Sequence, residues 1–177
     1  MTLTTTSSVS SYAIRAVREG DLPGLLELYV HLNADNAVTA GEERLREVWA
    51  QVLSDPKLHC FVAEADGRLV GTCLLAVVPN LTRGARSFGV IENVVTHGEY
   101  RRRGIGTGLM RHALAAAWGE GCYKVMLLSG SRRVETHRFY EGLGFRRDTK
   151  VGFVAVPESP PPPILGESEQ EKNPEPR

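Results

Sequence analysis

Residues 97–108 read HGEYRRRGIGTG, with three arginines and closely spaced glycines between an apolar strand-like stretch ending at Thr96 and an amphipathic stretch starting at Thr107. Backbone N–H groups at a helix N-terminus carry partial positive charge and attract phosphate, and glycines let an anion come close to the main chain. The segment therefore reads as an anion cradle at a strand-to-helix junction. A Walker A loop needs G-x-x-x-x-G-K-[ST], and no lysine stands here. A dinucleotide-binding turn needs G-x-G-x-x-G and an acid about 20 residues later, where this chain has Lys124. The competing reading is a glycine-rich loop whose arginines are merely solvated.

Outward from the cradle, the elements alternate. Ser87 to Thr96 (SFGVIENVVT) is predicted as the strand leading in. Thr107 to Trp118 is predicted as the helix leading out, with Leu109, Met110, Ala113, Leu114 and Ala117 inward and Gly119 and Gly121 stopping it. Upstream, His59 to Ala65 and Arg68 to Val78 form a hairpin across Asp66-Gly67, a strong turn dipeptide. Before them come a short strand, Ala13 to Val17, a helix from Asp21 with Pro23 in its first turn, and a helix from Glu42 to Leu53. Downstream, Cys122 to Leu128 is an almost continuously apolar strand, as expected when both faces are buried. A helix from about Arg132 to Glu141 follows, and Phe145 to Val156 supplies one or two last strands. The order βααβββαβαβ predicts an α/β (α+β) layer fold.

Composition narrows the function. The 177 residues suit one globular domain, and 21 basic against 21 acidic side chains exclude a surface that is wholly a polyanion-binding field. The longest apolar run, Cys73 to Val78, is far short of the roughly 20 residues a membrane span needs. Three separated cysteines without C-x-x-C spacing suggest neither a disulfide framework nor a metal site, and point to a reducing, cytoplasmic setting. Residues 1–12 read as a flexible Ser/Thr leader, residues 13–156 as a single domain, and residues 157–177, with seven of the ten prolines, as a disordered Pro/Glu-rich tail.

Over residues 13 to 155 the sequence resembles the GNAT superfamily of N-acetyltransferases. The family's phosphate-binding signature is R/Q-x-x-G-x-G/A, and Arg101-Arg102-Arg103-Gly104-Ile105-Gly106 matches it. VIENVVT before it, CYKVMLL after it, HRFYEGLGF (137–145) and the opening IRAVREGDL follow in the family's order. The resemblance implies a mixed, mostly antiparallel sheet with helices on both faces, and acetyl-CoA as acetyl donor cosubstrate without a metal. It further implies that backbone N–H groups from Arg102 to Thr107, with Arg101, Arg102 and Arg103, hold the pyrophosphate, so that Gly104, Ile105 and Gly106 are cofactor-binding. The pantetheine amides would pair with the strand edge at Val94, Val95 and Thr96, with Arg133 near that arm.

Tyr140 stands where the family often has a tyrosine that protonates the departing thiolate; packing of a helix on the sheet is the plainer use of an aromatic pair, and Phe139 is assigned to it. Glu92 is a charge inside an apolar strand, two residues before Val94 and so expected on the same face. It is the candidate base for an ammonium substrate, with a solvent-facing carboxylate as the alternative. His97 just after the strand is a substitute base, whereas His31, His59, His112 and His137 have no constellation around them. IENVV and GCYK resemble the glucosamine-phosphate acetyltransferase branch more particularly. The chain departs from that branch at Asn93 and at Leu128-Ser129-Gly130, and Arg133 replaces an asparagine frequent in the superfamily. The function expected is acetyl transfer to a primary amine of a small molecule or a protein; the alternative is a non-catalytic CoA-binding module. A homodimer is the candidate assembly, with no nucleic acid or membrane partner.

Overall fold

The structure, a computed structural model, describes residues 11–32 and 40–157. Residues 1–10 of the expected leader and 158–177 of the expected tail lie outside them. Contacts divide the chain into Met1–Arg146 and Arg147–Arg177, and the sheet, its helices and the cleft described below all belong to the first.

Five strands lie in chain order across one sheet: β1 (Ala13–Ala16), β2 (Leu58–Ala65), β3 (Arg68–Val78), β4 (Phe88–Thr96) and β5 (Val125–Met126). The first three pairings are antiparallel and the last is parallel. The β2–β3 turn works as its residues predict, because Asp66 (φ 53°) and Gly67 (φ 73°) both adopt the left-handed conformation that a tight hairpin needs.

Side chains of β2 alternate between two cores, which is why it is buried along nearly its whole length. Cys60 and Val62 face Leu25 of α1 (Leu22–Tyr29) and Trp49 of α2 (Glu42–Ser54). Phe61, Ala63 and Ala65 face the other layer, where α4 (Ile105–Gly119) inserts Leu109, Met110, Ala113 and Ala117. Burial of each large apolar side chain there contributes roughly 1.5–3 kcal/mol. Between β3 and β4 lies one helical turn, α3 (Thr82–Ala85), which the sequence does not predict; Arg83, Gly84 and Ala85 all have positive φ there.

Helix α4 begins two residues earlier than its periodicity suggests and ends in a Schellman motif. Gly121 (φ 72°) donates to Trp118 O at 3.0 Å and Cys122 to Ala117 O at 3.0 Å, satisfying carbonyls that the helix leaves open. The strand predicted from Cys122 to Leu128 shrinks to two residues, because β4 pairs with β5 only at Gly89–Val125 and Val90–Met126 before the two diverge. The last helix, α5 (Val134–Glu141), packs Phe139 and Tyr140 against the α4-side core. The strands predicted within Phe145–Val156 do not form: the described residues 145–157 contain no strand. Phe145 instead turns its ring toward Tyr140, 5.9 Å between centroids. The apolar alternation of VGFVAV is not enough by itself, because β-propensity without a pairing partner does not make a strand.

Candidate active site

The divergence of β4 from β5 opens a cleft of about 1160 Å³, and a β-bulge sets its shape. Thr72 pairs with Val95 and Leu74 with Glu92, so β4 carries one residue more than β3 over this stretch. Asn93 takes up the difference at φ 53°, a conformation asparagine tolerates better than most residues. The bulge breaks the two-residue alternation that would put Glu92 and Val94 on one face: Val94 packs with the α4-side core, whereas Glu92 is exposed opposite Leu74. Both still reach the cleft, because it straddles the end of the sheet.

Beyond the bulge, β4 has one hydrogen-bonded edge and one open edge. His97 N–H donates to Val70 O (2.9 Å), so Val95 and His97 turn their peptide groups to β3 and the alternate residues Val94 and Thr96 turn theirs to the cleft. Thr96 O accepts from Arg101 Nε at 3.3 Å on that side.

The arginine–glycine segment wraps the head of α4. Arg102 (φ 61°) and Gly104 (φ 80°) are both left-handed. The first intrahelical bond runs from Gly108 N–H to Gly104 O (2.9 Å), which leaves the N–H groups of Ile105, Gly106 and Thr107 without a helical acceptor. These residues, with Arg101 and Arg102, line the cleft. Arg103 does not. Its guanidinium lies over the Tyr100 ring, 4.9 Å from the centroid. Gly108 is needed for packing rather than for binding, since a Cβ there would meet the Tyr12 hydroxyl at 2.8 Å and Ile14 Cδ1 at 2.9 Å.

Across the cleft, Arg133 caps α5 and Tyr140 projects from it. Burial holds the Tyr140 phenol above its ordinary range, and the nearby Glu92 carboxylate opposes phenolate charge further. A neutral phenol and a carboxylate lining one cleft suit a proton donor and a proton acceptor acting in turn. His97 is unsuited to the base role assigned to it as a substitute: its Nδ1 accepts Glu99 N–H at 3.3 Å and its Nε2 sits 3.5 Å from an Arg68 guanidinium nitrogen. His31, which has no motif around it in the sequence, reaches the cleft mouth with its ring 4.5 Å from that of His97. Glu135 and Thr136 of α5 also line the wall; lying between Arg133 and Tyr140 in sequence, they were legible only as helix surface. Among the described residues, no group of three His, Cys, Asp or Glu side chains could hold a metal ion, and no helix is long and apolar enough to cross a membrane.

An arginine–glycine helix head, a splayed parallel strand pair and a tyrosine on the following helix define an acetyltransferase of the GNAT type. A model of the acetyltransferase (GNAT) family matches residues 25–145, and the chain belongs to that family. It is 34% identical over 134 residues to a glucosamine 6-phosphate N-acetyltransferase of Trypanosoma brucei brucei, covering 75% of this chain and 88% of that one. A solved structure from Agrobacterium tumefaciens str. C58, assigned as an acetyltransferase, superposes with a TM-score of 0.77 at 46% identity over 82% of this chain and 99% of that one. The aminoglycoside N-acetyltransferase AAC(6')-Iy, solved with a bisubstrate analogue built on CoA, has a TM-score of 0.69 at 18% identity over 84% and 99% of the two chains, a likeness of fold alone.

Proposed function

We propose that this protein transfers an acetyl group from acetyl-CoA to a primary amine by direct attack on the thioester. The observation that carries the proposal is the meeting, in one cleft, of the N–H groups of Ile105–Thr107 that lack a helical acceptor, the open edge of β4, and the side chains of Tyr140 and Glu92. The CoA analogue held by AAC(6')-Iy supports a donor of this kind.

Acetyl-CoA supplies an activated acyl thioester. Backbone N–H groups from Arg102 to Thr107 bind the pyrophosphate, with Arg101 and Arg102 adding charge-assisted contacts. Val94 and Thr96 align the pantetheine amides as an added strand would, and an N–H of that stretch polarises the acetyl carbonyl. Arg133 borders the same arm from α5. Glu92 takes the proton of the incoming ammonium, directly or through water, and Tyr140 gives its proton to the sulfur as the carbon–sulfur bond breaks.

The acceptor is a small-molecule amine or a protein amine. The trypanosomal relative is named for glucosamine 6-phosphate, which supports an amino sugar as the first acceptor to try. Glu92→Gln tests the proposal: it should cost kcat with alkylamines of high pKa and much less with an aromatic amine that is already neutral at pH 7. Equal losses with both amines would assign Glu92 to positioning and remove the base from the mechanism.

A further inference from the structure

One polar contact near the cleft has no part in the chemistry above. Tyr100, buried immediately before the three arginines, donates its hydroxyl to Asp66 Oδ2 at 2.9 Å. Asp66 belongs to the β2–β3 turn, 34 residues away in sequence. Its main chain is fixed by the left-handed pair Asp66-Gly67, so the turn offers the tyrosine a rigid anchor. The Tyr100 ring is flanked by Arg103 and, edge-on at 5.8 Å, by His97. Tyr100 N–H donates to His97 O (2.9 Å), and His97 N–H to Val70 O (2.9 Å). The residue is thereby tied to the hairpin through both its side chain and its main chain.

Just beyond it comes strained backbone. Arg102 at φ 61° is a non-glycine residue in left-handed conformation, which persists only where its surroundings impose it. Released, the peptide planes on either side of Arg102 would be free to rotate.

We propose that Tyr100 is a positioning residue, and that its hydrogen bond to Asp66 latches the phosphate-binding loop to the β2–β3 hairpin in the conformation that receives the pyrophosphate. Arg103 belongs with this latch and not with the phosphate contacts. The inference rests on the reading that Arg102–Thr107 hold the pyrophosphate.

The test compares binding of CoA with binding of pantetheine, the same arm without phosphates, by calorimetry and NMR titration respectively. Tyr100→Phe keeps the ring and removes the donor. Asp66→Gly keeps the turn conformation and removes the acceptor, and Asp66→Asn keeps an acceptor oxygen. Wild type should bind CoA at least tenfold more tightly than pantetheine. Tyr100→Phe and Asp66→Gly should each weaken CoA about tenfold and leave pantetheine unchanged. Their combination should be no worse than either alone, and Asp66→Asn should stay within about twofold of wild type. CoA affinity within twofold of wild type in both disrupting variants overturns the latch while the phosphate reading stands. Equal weakening of CoA and pantetheine also overturns it, because the bond would then only support the fold. Equal affinity of wild type for the two ligands would remove the phosphate reading itself, and the latch with it.

Discussion

Two glycines in the anion loop separate binding from stability, and Gly106→Ala is the sharper substitution. Gly106 is the second residue of α4, and a Cβ there would lie 3.4 Å from Phe139 Cζ and 3.5 Å from Thr96 Oγ1. That is close contact without overlap, so the fold should accept the methyl group. A glycine-to-alanine change inside a helix stabilises by up to about 0.5–1 kcal/mol, and for a domain of this size about 1 kcal/mol moves Tm by about 2–4 °C. The variant should therefore melt at the wild-type temperature or slightly above it. The same methyl group stands on the cleft wall, where the proposed pyrophosphate site requires close approach to the main chain. Acetyl-CoA should bind at least tenfold more weakly, about 1.4 kcal/mol. Gly104→Val should behave differently. A Cβ at Gly104 meets only the Tyr12 hydroxyl, at 3.7 Å, so space is not limiting, but the residue sits at φ 80°. Holding an L-residue there costs about 1–2 kcal/mol, so stability and affinity should fall together. Scanning calorimetry and isothermal titration on the same preparations read both quantities. A Gly106→Ala protein with raised Tm and unchanged acetyl-CoA affinity would refute the placement of the pyrophosphate.

Other expectations are open to direct measurement. Tyr140→Phe should lower kcat by about 10² or more with little change in acetyl-CoA affinity, since the ring still packs beside Phe139 and Phe145. In the wild type, the alkaline limb of kcat/KM should lie above the ordinary tyrosine range, because burial and Glu92 both raise the Tyr140 pKa. Asp21, paired with Arg15 at 2.6 Å and accepting Arg18 N–H at 2.7 Å, is held below its ordinary pKa. Its contribution is present above the unfolded carboxylate pKa and lost as pH falls through the lower folded value. Asp21→Ala should thus cost about 1.5–3 kcal/mol at pH 7, and denaturant melts should show the difference shrinking in acid. Burial pushes the thiols of Cys60 and Cys73 up to about 11 and 12 and raises that of Cys122; a disulfide reagent at pH 8 should label all three only on unfolding.

Much of the scaffold could be read along the chain because it depends on local rules. Asp66-Gly67 specifies the hairpin between His59–Ala65 and Arg68–Val78, and Arg101–Gly106 specifies the head of α4; the apolar run Cys122–Leu128, expected to be buried on both faces, instead leaves Met126 and Leu128 exposed. The features that the sequence concealed depend on partners distant in the chain. The bulge at Asn93 depends on the register with β3, and it places Glu92 and Val94 on opposite faces although they are two residues apart. The shortness of β5 follows from where β4 diverges, which its apolar composition does not encode. His31 joins the cleft because α1 crosses β4, and Asp66 meets Tyr100 because the hairpin tip folds beside the phosphate loop. Arg103 carries the signature of a phosphate ligand, yet its side chain stacks on Tyr100.

The central claim is that the cleft catalyses acetyl transfer from acetyl-CoA to an amine. Its most direct test is thiol release from acetyl-CoA, measured with a panel spanning amino sugars, their phosphates, aminoglycosides, polyamines and peptides, with mass spectrometry of each candidate product. The account predicts amine-dependent thiol release with an N-acetylated product for at least one class, reduced about 10²-fold or more in Tyr140→Phe. Tight binding of acetyl-CoA with no amine-dependent release across the panel would contradict it and leave a CoA-binding module without turnover. Full activity of Tyr140→Phe on a verified acceptor would contradict the mechanism.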